Sequence, residues 1–180
     1  MIDPKVKKAL INSITEINAE RKAWCDTHGV PMPEPIETLD LIMKKEFALQ
    51  ILKGEKNVEF RSVTQHYQNR LFDKKLGAFL DKHTDNEEIM EQCGMWGYCD
   101  ELRPVKTIHF HNYNNDWYLD VEVLHNGYAI ANKEDAESLH LYDCYDLDAL
   151  VEELDKKNEE ERPVFFIFII SKVVATNLEV

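Results

Sequence analysis

The residues best suited to do chemistry in this chain are Lys56, Glu59 and Arg61, which lie within a six-residue stretch. Val58 and Phe60 are apolar and alternate with the polar residues, a pattern that predicts a half-buried strand with Glu59 and Arg61 on one face. A lysine at the start of such a strand can reach the same face through its flexible side chain. The three side chains would then present an ammonium, a carboxylate and a guanidinium to one small polar ligand.

A row of surface ion pairs without any binding role is the alternative for the same three residues. Exposed pairs of this kind are common, and each contributes under about 1 kcal/mol to stability. The two interpretations predict different placements of the charges. A binding site requires a concavity with the Arg61 guanidinium turned toward Glu59, whereas a surface row leaves Arg61 in open solvent.

A short helix and a strand that meet at Gly54 are expected to position these side chains. Glycine tolerates the left-handed backbone that ends many helices, and it follows four apolar residues at helical spacing: Phe47, Ala48, Ile51 and Leu52. Residues 39–43 precede this helix and have the composition of a strand. The predicted order is therefore strand, helix, glycine, lysine and strand.

This segment resembles the signature of the ASCH domain family (activating signal cointegrator homology), which belongs to the PUA-like superfamily. Four residues fit the family pattern GxKxxExR: Gly54, Lys56, Glu59 and Arg61. The preceding strand and helix also follow the family order. The apolar run at 163–170 and the tail after it resemble the last barrel strand of these domains, so the resemblance extends over residues 38–180.

The resemblance implies recognition of RNA or of a modified nucleoside by a pocket that contains Lys56, Glu59 and Arg61. Arg61 would hold a phosphate or a carbonyl, Lys56 would supply a point charge, and Glu59 would accept a hydrogen bond from an exocyclic amine. A pocket charge of this kind contributes more to recognition than to the core. No cofactor and no metal are expected.

Two other functions stay open, and with them the question of whether the protein is an enzyme. The first is a hydrolase that acts on an N4-acylated cytidine-like amide or on RNA, because some bacterial members hydrolyse N4-acetylcytidine with the motif lysine and some relatives are reported as ribonucleases. Those amidohydrolases have threonine where this chain has Glu59, and a carboxylate there favours a charged Lys56. The second is a protein-interaction module, which a flat and exposed motif would favour.

The net charge of −13 argues against broad affinity for phosphate backbones, which require a basic surface. Most of this charge lies in residues 134–161, which contain twelve carboxylates and two lysines. Apolar residues at helical spacing within this segment predict a helix with a solvated acidic face. RNA or a nucleotide would therefore bind at a localised site.

The pattern of the whole chain predicts an α+β fold, namely a small mixed PUA-like β-barrel with flanking helices and an N-terminal helical arm. Residues 1–35 form this arm and a proline-rich linker, and residues 36–180 form the ASCH/PUA-like domain with a helical insertion at about 63–104. The arm carries an apolar stripe that is expected to dock on its own barrel and leave a monomer: Val6, Leu10, Ile14, Ile17 and Trp24.

Further strands are predicted at 107–112, 117–124, 128–131, 138–141 and from 164 onward, with a helix at 146–157. His109 and His111 share one face of the first of these strands. Without a third positioned ligand, a structural or ligand-contact role is favoured over a metal site. Residues 93–99 contain two aromatics and two glycines, which predicts either a stacking wall for a base or a packed aromatic plug.

Three features indicate a cytoplasmic protein without a membrane partner. The apolar run at 164–170 is far shorter than the roughly 20 residues of a bilayer span. The N-terminus lacks the apolar segment of a secretory signal. The four cysteines show no CxxC spacing, which suits reduced thiols.

Overall fold

The computed structural model describes residues 1–96 and 100–180, and of residues 93–96 it describes the backbone alone. The elements in chain order are α1 (Pro4–His28), β1 (Ile36–Ile42), α2 (Lys45–Leu52), β2 (Val58–Ser62), α3 (Gln65–Leu71), α4 (Lys74–Lys82), α5 (Glu87–Trp96), β3 (Val105–His111), β4 (Tyr118–Ile130), α6 (Lys133–Leu139), a 3-10 turn (His140–Tyr142), α7 (Asp148–Lys156) and β5 (Val164–Thr176).

The five strands form one mixed sheet in the order β1-β3-β4-β5-β2. Strand β1 is parallel to β3, and the other neighbours are antiparallel. The expected α+β class is therefore confirmed. The sheet is not closed into the expected barrel, because β1 and β2 are its two edges and no ladder joins them in the residues that the structure describes.

The sheet is curled, because Arg61 on the edge strand β2 donates a hydrogen bond to the carbonyl of Ile42 on the other edge strand, β1. One face of the sheet packs on a large core, to which β1, β3, β4 and β5 contribute. This cluster contains Leu41 of β1, Phe110 of β3 and Phe168 of β5, and α2 adds Ala48. The opposite face packs against α6 and α7 through a second cluster that includes Val58 of β2. Because side chains alternate along a strand, Glu59 and Arg61 face the first core.

Helix α1 docks on the rest of the same chain, as its apolar stripe predicts. Asp3 caps the helix by accepting a hydrogen bond from Lys5 N, and Gly29 ends it with a left-handed φ of 67°. Near the start, Ile2 is 5% exposed within the second core, and near the end Cys25 is buried in a third cluster. Ile17 is 51% exposed, so the middle of the stripe is less buried than expected.

Three of the expected strands are wrong in detail. The two strands expected at 117–124 and 128–131 are one strand, β4 (Tyr118–Ile130), whose register shifts near Val123 and His125 let it continue through the irregular region. Residues 138–141 form the end of α6 and the 3-10 turn instead of a strand. Asn132 caps α6 by accepting from Asp135 N, and Ala136 and Leu139 are buried at helical spacing.

Helices α3, α4 and α5 occupy the interval 63–104, where a helical insertion is expected. That they are an insertion relative to the ASCH family stays a prediction. The expected stacking wall or plug at 93–99 lies outside the described side chains. No helix in the described part of the chain is both long and apolar enough to cross a bilayer.

Candidate functional site

Lys56, Glu59 and Arg61 lie in mutual contact through the carboxylate. Arg61 Nη2 is 2.8 Å from Glu59 Oε1, and Lys56 Nζ is 3.6 Å from Glu59 Oε2. A fourth charged residue joins them, because Asp146 Oδ2 is 3.4 Å from Lys56 Nζ. We name these four residues the Lys56 cluster.

Three segments of the chain position the cluster. Gly54 leaves α2 with a φ of 75°, and the amides of Glu55 and Lys56 donate to Gln50 O, so the backbone turns sharply before β2. Strand β2 then pairs with β5, which sets Glu59 opposite Phe168. Asp146 arrives from the loop between the 3-10 turn and α7.

Three of the four residues of the cluster are largely buried, which distinguishes them from a row of surface ion pairs, whereas the side chain of Asp146 is 56% exposed. Glu59 is 7% exposed, and the side chains of Lys56 and Arg61 are 14% and 17% exposed. Burial raises the pKa of Glu59, and the charges of Arg61 and Lys56 partly offset this effect. The surface-row interpretation is therefore wrong for these residues.

Arg61 also holds the open side of the sheet together. Its Nη2 donates to Ile42 O at 3.0 Å, and its Nη1 donates to Tyr67 Oη at 3.1 Å. Ile42 ends β1 at one edge of the sheet, whereas Arg61 belongs to β2 at the other edge. A role in ligand binding stays a prediction for Arg61, but the guanidinium has a structural role as well.

Two aromatic rings lie near the ammonium of Lys56. Its Nζ is 5.8 Å from the ring centre of Phe47 and 5.8 Å from that of Phe60, within the range of cation–π interactions. Phe47 is 39% exposed. The cluster therefore combines buried charge with an accessible aromatic face.

A cavity of about 350 Å³ adjoins the cluster. Four lysines and Asn57 line it on the polar side, the lysines being Lys7, Lys53, Lys56 and Lys172. The apolar side is lined by side chains of α2 and β5: Ile51, Leu52, Ile170 and Val173. Of the three predicted site residues, Lys56 lines this cavity and Glu59 and Arg61 do not. The three side chains are therefore in mutual contact, but their convergence on one concavity stays a prediction, because only Lys56 among them lines this cavity.

The two histidines of β3 are each paired with a carboxylate. His109 Nδ1 is 2.5 Å from Asp120 Oδ1, and His111 Nε2 contacts Asp40. The hydrogen bond that His111 donates to the Asp40 carboxylate raises the pKa of His111. Within residues 1–96 and 100–180, no group of three or more His, Cys, Asp or Glu side chains is arranged to hold a metal ion.

Sequence reasoning missed Asp146 and the lysines of the cavity other than Lys56. Asp146 is ninety positions after Lys56, and Lys7 and Lys172 come from opposite ends of the chain. No local spacing connects such residues. A signal for them would require knowledge of which loop packs beside the start of β2.

In comparisons with known proteins, no family model, no curated protein and no solved structure matches this chain. The resemblance to the ASCH family therefore depends on the Gly54–Arg61 motif and on the order of the elements around it. Membership of that family stays a prediction.

Proposed function

We propose that this protein binds a cytidine-like nucleoside, free or within RNA, at the Lys56 cluster. We further propose that its curled sheet is a PUA-like fold whose open side is spanned by Arg61. The observation that carries the first proposal is a buried set of charges that keeps unused hydrogen-bond donors beside an accessible aromatic ring.

The unused donors belong to Lys56 and Arg61. An ammonium has three N–H donors, and the two carboxylates near Lys56, Glu59 and Asp146, can engage two of them. Arg61 Nε is buried and has no hydrogen-bond partner in the described residues. The buried Nε of Arg61 does not line the cavity, so the donor that a carbonyl oxygen of a ligand can reach is the remaining N–H of Lys56, which does line it.

The rest of a pyrimidine nucleoside fits the remaining features of the cluster. Nucleobases stack on aromatic side chains, and Phe47 presents a partly exposed ring near Lys56. The two oxygens of Glu59 have about four acceptor positions, of which Arg61 and Lys56 occupy part, so an exocyclic amine can still donate to them. A carbonyl beside an exocyclic amine is the pattern of cytosine.

Isothermal titration with cytidine, N4-acetylcytidine, uridine, adenosine and a short single-stranded RNA tests this function. We expect binding of the cytidine-type ligands that weakens at least tenfold in Lys56→Met. The matched control is Lys82→Met, which removes an exposed lysine at the end of α4. Absence of binding by every nucleoside and by the RNA at millimolar concentration would refute the proposal.

A hydrolase is the second candidate, because Asp146 provides a second carboxylate within hydrogen-bond reach of Lys56. Burial raises the pKa of Glu59, which makes its carboxylate a stronger base toward a water molecule. Lys56 could then stabilise the developing oxyanion of an amide. A protein-interaction module is not favoured, because the motif is buried.

Chromatographic detection of cytidine released from N4-acetylcytidine tests the hydrolase. Turnover that is lost in Asp146→Asn and in Glu59→Gln, with nucleoside binding retained, would establish catalysis. Binding of N4-acetylcytidine without release of cytidine over a day would show that the site only binds.

A further inference from the structure

The cavity beside the Lys56 cluster concentrates positive charge in a strongly acidic protein. Four lysines line it, and we name it the lysine cavity after them: Lys7, Lys53, Lys56 and Lys172. No aspartate or glutamate is among the described residues that line it. The chain as a whole carries 34 acidic and 21 basic residues, so this local excess of cations is opposite to the overall charge.

Two of these lysines have no carboxylate partner in the described part of the chain. Lys7 Nζ donates to the carbonyl of Ser171 at 2.5 Å, and Lys53 makes no ion pair. Lys172 pairs with Glu122 at 3.3 Å, and Lys56 pairs within its cluster. The positive charge of Lys7 and Lys53 is therefore available to an anion.

Asn57 provides a second and independent indication of a ligand. It lines the same cavity and is 8% exposed, yet its Nδ2 has no hydrogen-bond partner among the described residues. Buried side-chain amides are almost always hydrogen bonded in native proteins. The backbone carbonyl of Asn57 accepts a hydrogen bond from Ile170 N. The group of Asn57 that lacks a partner is therefore the side-chain Nδ2.

The size and the walls of the cavity restrict the ligand. A volume of about 350 Å³ is at the lower end of the range for small-molecule sites, roughly 300–1,000 Å³. Lysines act as point charges toward phosphate, and an amide N–H donates readily to phosphate oxygens. The apolar side of the cavity, formed by residues such as Ile51 and Ile170, leaves room for the body to which a phosphate is attached.

We infer that the lysine cavity is a phosphate-binding site, with Lys7, Lys53 and Lys172 around the phosphate and Asn57 Nδ2 donating to one of its oxygens. The phosphate is either free or part of a nucleotide whose base lies at the Lys56 cluster, and this second form rests on the function proposed above. Lys56 belongs to both sites and joins them. Since Lys7 comes from α1, the N-terminal arm completes the site.

Titrations with inorganic phosphate, cytidine and cytidine 5′-monophosphate test the inference on the full chain. We expect Lys53→Met and Lys7→Met each to weaken binding of phosphate or of the monophosphate at least tenfold. The matched controls are Lys45→Met at the start of α2 and Lys5→Met on α1, exposed lysines that do not line the cavity. These controls should change the affinity less than twofold.

The three ligands separate the sources of the phosphate. Equal affinity for phosphate and the monophosphate indicates free phosphate, whereas tighter binding of the monophosphate than of phosphate or cytidine indicates a nucleotide. Both outcomes support the site if they depend on Lys53. If neither phosphate nor the monophosphate shows binding that depends on Lys53, the inference is overturned, even where cytidine still binds.

The same titrations distinguish failure of the inference from failure of the proposed function. Binding of phosphate that depends on Lys53, without binding of any nucleoside, leaves the phosphate site standing and removes the nucleoside site. A far-ultraviolet circular dichroism melt of each variant shows whether it is folded. Lys53 is exposed, so its replacement by methionine leaves the core intact.

Discussion

Truncation of Arg61 to alanine should destabilise the protein strongly, although the residue lies on an edge strand. The substitution removes the contact with Glu59 at 2.8 Å and the bonds to Tyr67 and to the carbonyl of Ile42. The Ile42 bond links β2 to β1 across the open side of the sheet. A single change therefore breaks an ion pair and a bridge between two edges.

The magnitude follows from what the truncation leaves behind. Glu59 stays buried at 7% exposure, with Lys56 at 3.6 Å as its remaining cation. Removal of one partner of a buried ion pair typically costs about 3–5 kcal/mol, because the other charge is left uncompensated. Lys56 retains part of the compensation, so we expect a loss of about 3 kcal/mol, a large share of the roughly 5–15 kcal/mol of a typical domain.

Urea unfolding followed by circular dichroism measures this loss as a lower midpoint with an unchanged slope. Arg70→Ala is the control, because Arg70 donates to the exposed carbonyl of Asp40 and its removal strands no buried carboxylate. We expect Arg70→Ala to cost under about 1 kcal/mol. If Arg61→Ala costs no more than this control, Arg61 is not structural and its guanidinium is free for a ligand.

The same chain offers three further tests of stability by urea unfolding. Burial raises the pKa of Glu59 in the folded protein above its ordinary value of 4.5. The stabilising contribution of protonated Glu59 to the free energy of unfolding is therefore complete below pH 4.5 and is lost as the pH rises through the pKa of the folded state. The wild-type advantage over Glu59→Gln should thus shrink across this window, and an advantage that grows with pH would contradict it. Ile2→Ala should cost about 2–5 kcal/mol of stability, because Ile2 is 5% exposed. Ile17→Ala should cost under about 0.5 kcal/mol, because Ile17 is 51% exposed. Equal losses would disprove that the start of the arm is docked. Asp73→Ala should cost about 1–2 kcal/mol by removing the cap that accepts from Lys75 N and Leu76 N, and no loss would show that the cap is dispensable.

The elements with strong local signals could be predicted from the sequence. Helix α1 begins and ends where Asp3, Pro4 and Gly29 indicate, because capping is decided by neighbouring residues. The short alternation of polar and apolar residues at 138–141 has the period of a strand, so the local pattern predicts the wrong element there. The cap at Asn132 and burial at helical spacing favour a helix there instead.

Sheet order and closure could not be predicted, because they depend on contacts between distant segments. The parallel pairing of β1 with β3 sets Leu41 beside Phe110 across nearly seventy residues of sequence. The open side between β1 and β2 is likewise a property of the assembled sheet. Turn chemistry and periodicity carry no information about which strands become its edges.

The residues of the candidate site also fall into those with a local sequence signal and those without one. Lys56, Glu59 and Arg61 could be found because a strand brings alternate residues to one face, and this spacing is local. Asp146 and Lys7 could not be found, since each reaches Lys56 or its cavity only after the chain has folded. The sequence thus predicts the centre of the site and omits the residues that surround it.

The position of Lys56 has a consequence for both proposed ligands. Its ammonium contacts two carboxylates in its own cluster and also lines the lysine cavity, so one flexible side chain would serve both proposed sites. A phosphate in the cavity would attract this ammonium and weaken its pairing with Glu59. Glu59 would then have more acceptor capacity for the exocyclic amine of a base, and by linkage the base would strengthen phosphate binding by the same factor. Arg61 is held by its hydrogen bonds to Ile42 and Tyr67 and cannot shift in the same way. The coupling between phosphate binding and base binding would therefore depend on Lys56 and not on Arg61.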